Sequence, residues 1–112
     1  MRAAMVIHPG EVLREEFLLP MGLSANALAI ALQVPAPRIN DVAREKRGIS
    51  ANTALRLARY FGTSAEFWMG LQADYDLKTS ARELKAALKR IHPHRNLQTA
   101  EGKPQGLSPV NG

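Results

Sequence analysis

Arg38, Asn40, Asp41 and Arg44 are spaced so that they share the outer side of one short helix, with Ile39 and Val42 turned the other way. Together they carry the groups that the edges of base pairs demand. A guanidinium fork fits the two acceptors of guanine, a carboxamide fits adenine, and extra cations fit phosphate. Lys46 and Arg47 come next and lengthen the cationic edge. Such a face suits the DNA major groove. Catalytic chemistry has no comparable set. His8 stands beside a proline at a helix start, where it reads as a capping or surface residue. His92 and His94 flank Pro93 with no carboxylate close in sequence. Glu15 and Glu16 are adjacent, so a helix points them in different directions. The chain has no cysteine, which excludes thiol nucleophiles and thiolate metal sites. No enzyme, metal centre or cofactor is expected.

A helix that enters a groove needs another to hold it, and the preceding residues supply one. Ser24 is an N-cap candidate, and Leu28, Ala29 and Leu32 recur at helical spacing behind it. Ala29 leaves room for a close crossing. Gln33-Val34-Pro35 then breaks the pattern, because the residue before a proline leaves the α region while proline itself suits a first helical turn. Residues 24–48 therefore read as two short helices joined by a tight turn, a helix-turn-helix. Gln33, in place of a glycine at that turn, predicts an ordinary right-handed backbone there. Gly48 is expected to stop the second helix.

His8-Pro9-Gly10-Glu11 looks like the start of an earlier helix, with proline at its first position and glutamate at the positive end of the dipole. Val12, Leu13 and Phe17 face inward, Arg14, Glu15 and Glu16 outward, and Pro20-Met21-Gly22 ends it. After the motif, Ser50 caps a helix over 51–61 that buries Ala54, Leu57, Ala58 and Phe61, with Leu55 at the edge. Gly62 closes it. Thr63-Ser64-Ala65-Glu66 is a capping box for a helix carrying Phe67, Trp68, Leu71 and Tyr75, and Trp68 is expected in the core. Ser80-Ala81-Arg82-Glu83 is a second capping box, predicting a C-terminal helix that His92-Pro93-His94 ends. Beyond Arg95 large apolar residues almost vanish, which predicts disorder. The expected organisation is an arm over 1–7, a helix-turn-helix domain over 8–78, a C-terminal helix over 79–92 and a tail over 93–112. Leu77, Leu84, Leu88 and Ile91 make an apolar stripe with little left to cover in so small a core. They are the expected dimer interface.

The 112 residues allow one domain, and the Ala- and Leu-rich apolar content favours an all-α fold. No apolar run reaches membrane-span length and no signal-peptide core is present, so a cytoplasmic protein is expected. The net charge is +5 but unevenly spread. Residues 1–34 sum to −1 and residues 35–62 to +4, so the excess sits on the second motif helix and on the residues C-terminal to it. A localised basic face is the footprint of phosphate binding.

The pieces Ile7-His8-Pro9-Gly10-Glu11, Arg38-Ile39-Asn40, Arg47-Gly48-Ile49-Ser50, Ala54-Leu55-Arg56-Leu57-Ala58, Phe61-Gly62-Thr63, Phe67-Trp68, Leu71-Gln72 and Tyr75-Asp76-Leu77 occur together. In that combination the chain resembles the HigA-type antitoxins of the XRE, lambda-repressor-like helix-turn-helix class, over roughly residues 6 to 78. The resemblance implies a five-helix DNA-binding core, here with an additional C-terminal helix, and a homodimer on a palindromic operator. It also implies neutralisation of a RelE-like mRNA-cleaving toxin and repression of the protein's own operon. Carried onto this sequence, it places Pro37, Arg38, Asn40, Asp41 and Arg44 in the groove. Ser24 and Asn26 would meet phosphate ahead of them, and Lys46 and Arg47 after them. Two other readings remain open from sequence: a stand-alone repressor with no toxin, and a protein-interaction module that has lost DNA affinity.

Overall fold

The computed structural model describes residues 5–95. These form six helices, with no strand among them: α1 Pro9–Met21, α2 Ala25–Leu32, α3 Ala36–Ala43, α4 Ala51–Phe61, α5 Ala65–Glu83 and α6 Lys85–Lys89. The expected all-α architecture, five helices and an additional C-terminal one, is the one adopted. The described residues fall into two compact units, the first ending at Ala81 and the second beginning at Arg82. Residues 1–4 of the expected arm and 96–112 of the expected tail lie outside the described residues. No single helix among those described is long and apolar enough to cross a membrane.

Four of the helices, α1, α2, α4 and α5, start where a side chain accepts an orphan amide of the first turn, while α3 starts from Pro35 without such a cap. The Ser24 hydroxyl takes the Ala27 N–H at 3.0 Å, and Ser50 takes that of Thr53 at 3.3 Å. At α5 the cap is Ser64, accepting from Phe67 at 3.0 Å, one residue later than a box beginning at Thr63 would require. Thr63 is used differently: its hydroxyl accepts the Trp68 indole N–H at 2.8 Å, so the buried ring leaves no unpaired donor. His8 caps α1 through Nδ1, at 2.8 Å from the Gly10 nitrogen, but it is buried rather than superficial.

Within α1, Leu13–Leu18 widens into π geometry, and the Leu19 amide bonds the Arg14 carbonyl five residues back. Pro20 accounts for this. It has no N–H for the Glu16 carbonyl, and its ring would crowd that carbonyl in a tighter turn. The core gathers Leu13, Leu28, Ile39, Val42, Leu57 and Trp68, all without exposed surface. Phe17 and Phe61 lie 5.1 and 6.3 Å from the Trp68 ring. Full burial of each aliphatic member contributes roughly 1.5–3 kcal/mol.

Three expectations about helix ends give way. Gln33 is left-handed after all, at φ 61 and ψ 47. The turn compensates with hydrogen bonds: the Gln33 amide reaches Ile30 and the Val34 amide reaches Ala29, a Schellman closure of α2. Gly48 does not end the recognition helix, which stops at Ala43 with a left-handed Glu45 at φ 65. Gly48 instead admits the Gln72 side chain, whose Oε1 accepts the Ile49 amide at 2.6 Å; a methyl on Gly48 would meet that side chain at 2.8 Å. Finally, Ser80 starts nothing. α5 runs through it to Glu83, since no glycine or proline interrupts 71–83. A capping sequence acts only where the chain already leaves the helix. The next helix begins at Lys85, so Leu77, Leu84, Leu88 and Ile91 do not lie on one continuous helix, although all four are exposed.

Candidate nucleic-acid interface

α3 is placed by contacts at both ends. At its N-terminal side the Val34-Pro35 turn sets its angle to α2, and Ile39 and Val42 are buried beneath it. At its C-terminal end the Arg14 guanidinium of α1 donates to the Ala43 carbonyl at 2.6 Å and to Glu45 at 3.2 Å. A cation there satisfies an orphan carbonyl and suits the negative end of the dipole. Hydrogen bonds to Glu15 first, and to Glu45, raise the Arg14 pKa above its ordinary value. Gly10 lets the start of α1 lie directly on α3, since an added methyl would overlap the Val42 carbonyl. Arg14, expected to face water, is thus a fastener of the recognition helix.

On the outer side, Asn40 and Arg38 are each held by a neighbour. Asn40 Nδ2 donates to Asn26 Oδ1 at 2.7 Å and to the Ala36 carbonyl at 3.0 Å. Both its donors are therefore engaged, leaving Oδ1 to accept, while the Asn26 amide nitrogen remains available to donate. Adenine needs a donor and an acceptor together. The asparagine pair supplies both, where Asn40 alone supplies one. Arg38 Nη1 donates to Asn52 Oδ1 at 2.9 Å, and Arg56 Nε reaches the same oxygen at 2.8 Å. The rest of the Arg38 fork stays available.

The other expected residues sort by partner. Pro37 is exposed in the first turn of α3, and Ser24 is exposed with its hydroxyl engaged as a cap. Asp41 pairs with Arg47 at 3.5 Å, which removes part of the local negative field. Arg44 and Lys46 are exposed and have no ion pair among the described residues. Exposed cations of that kind suit phosphate, which positions a protein without reading sequence. Asn52 and Arg56 were not anticipated. Asn52 looks like an ordinary polar residue in the first turn of α4, and only its spacing of four from Arg56 hinted at a pair.

Comparisons with known proteins agree with this fold. A helix-turn-helix family matches residues 13–68. Virulence-associated protein I of Dichelobacter nodosus is 61% identical over 77 residues, covering 69% of this chain and 71% of that protein. Among solved structures, the Pseudomonas aeruginosa antitoxin HigA with higBA promoter superposes with a TM-score of 0.78 at 52% identity, covering 80% of this chain and 98% of that one. An addiction module antidote protein of the HigA family from Coxiella burnetii superposes with a TM-score of 0.75 at 43% identity, covering 80% and 100%. With its capped α2, left-handed turn and braced α3, the chain belongs to the helix-turn-helix family and, within it, to the HigA-type antitoxins.

Proposed function

We propose that this protein is a sequence-specific DNA-binding antitoxin that neutralises a RelE-like toxin and represses its own operon, bound as a homodimer to a palindromic operator. The observation that carries the DNA reading is the bracing of Arg38 by Asn52 and of Asn40 by Asn26 on the outer face of α3. Side chains ordered before binding lose less entropy on contact than free ones. In this reading Pro37, Arg38, Asn40 and Asp41 face the groove, with Asn26 acting through Asn40; Arg44, which the resemblance carries into the groove, is assigned with Ser24, Lys46 and Arg47 to the phosphate backbone. The promoter in the Pseudomonas aeruginosa relative's complex supports DNA as the partner.

Titration of the DNA upstream of the gene, at several salt concentrations, tests it. Arg38→Ala costs about 1–3 kcal/mol on the specific site and little on random duplex. Lys46→Ala weakens both alike and lowers the salt slope by about one unit. Equal, salt-insensitive losses in both variants would refute this recognition face. The toxin half is tested by co-expressing the product of the adjacent reading frame, with growth rescue and co-purification as readouts.

A further inference from the structure

Adjoining the braced face at Arg56, the end of α2 and the middle of α4 border a groove of about 460 Å³, walled by Leu32, Gln33, Leu55, Arg56, Arg59 and Tyr60. Leu32 forms its buried floor, while two apolar side chains are uncovered: Leu55 is 62% exposed and Tyr60 47%. Its charge is one-sided. No carboxylate occurs in residues 17–40 or 46–65, the stretches that build it. Arg56 is turned to the Leu32 carbonyl at 2.8 Å and to Asn52, neither of which is an anion. Arg59 has no ion pair or hydrogen bond among the described residues.

An occupant must therefore offer apolar surface to Leu55 and Tyr60 and negative charge to the arginines. Duplex DNA offers the charge without the apolar surface. A second copy brings a net charge of +5 to a cationic groove. We propose that the groove docks a partner-protein segment carrying a carboxylate between apolar side chains. The inference rests on the antitoxin reading, under which the partner is the toxin. Tyrosine and arginine at the centre of an apolar patch are the residue types that concentrate binding energy.

The test compares toxin binding by the wild type and by a Leu55→Glu, Arg59→Glu double variant, both purified as full chains, with the adjacent gene product as ligand. The double variant is expected to lose at least about tenfold in toxin affinity, as removal of an interface anchor does. Its melting temperature stays unchanged, and its operator affinity falls by less than its toxin affinity, since Arg59 belongs to the basic stretch but not to α3. Arg59→Glu alone loses less at high salt, where the charge is screened. A second measurement does not depend on that variant. The chain has no cysteine, so Leu55→Cys carries the sole thiol, and its alkylation by iodoacetamide should slow severalfold when toxin is bound. Undiminished affinity of the double variant, or an unprotected thiol in the complex, overturns the groove and leaves the antitoxin reading intact. Absence of any complex with the wild type overturns that reading, and the groove assignment with it.

Discussion

At Gln33 the turn of the motif holds a side chain in a conformation that costs an L-residue roughly 1–2 kcal/mol. The surrounding hydrogen bonds enforce it. Gln33→Gly removes the strain and adds some freedom to the unfolded chain, so a net gain of about 1 kcal/mol is expected. Chemical denaturation checks this, and a loss instead would mean that the Gln33 side chain contributes through the groove it lines. His8 makes the second residue-scale case. The residue is 6% exposed, and its ring accepts the Gly10 amide and meets Tyr75 edge-on at 4.7 Å. Burial lowers its pKa from 6.5; Glu45 and Asp76 oppose the shift, and Arg14 adds to it. A protonated Nδ1 cannot accept the amide. Because the unfolded state then binds the proton more readily, stability is full above pH 6.5 and falls as pH drops below it. His8→Asn, which keeps a cap and loses the titration, should flatten the melting temperature between pH 7 and 5. A wild type with no slope in that window would refute the role.

At the scale of the elements, α3 is short and depends on what meets its ends. Gly10 is the tightest of these contacts, so Gly10→Ala forces α1 and α3 apart. It should cost about 1–3 kcal/mol, as overpacking does, and weaken operator binding beyond what the stability loss explains. Urea unfolding and DNA titration on the same sample separate the two. Periodicity made α2, α3 and α4 legible, because Leu28, Leu32, Ile39, Val42, Ala54 and Leu57 repeat at the spacing of a buried face. Serine caps marked the beginnings of α2 and α4. Endings were less legible. A capping box at Ser80 looks the same in sequence whether the chain is leaving a helix or continuing one, and here it continued. Likewise, Gly48 advertised a stop while Glu45 made the turn, because glycine also serves where another side chain must approach. The outer residues of α3 could be named from spacing. Their braces could not, since Asn26 and Asn52 each lie fourteen residues from their partners.

For the whole molecule, one recognition helix spans only part of a helical turn of DNA, and specific affinity comes from two copies about 34–36 Å apart. Something beyond α3 must hold them there. α2 is committed to the core and to Asn40, and Ile30 is the one large apolar side chain it leaves exposed. In the second unit Leu84 and Leu88 are 47% and 49% exposed and lie one helical turn apart, a spacing that presents both on one side. α6 is only five residues long, too short to persist in water without a surface to lie on. We expect a two-fold contact through Leu84 and Leu88, extended by Ile91. A Leu84→Glu, Leu88→Glu double variant should sediment as a monomer in analytical ultracentrifugation while circular dichroism shows the first unit intact. Its operator titration should lose the steepness of a dimer and most of the specific affinity, while binding to a single half-site remains. A variant that still sediments as a dimer would move the interface elsewhere, and the exposed apolar side chains of α5, Phe67 and Met69, would be the next to test.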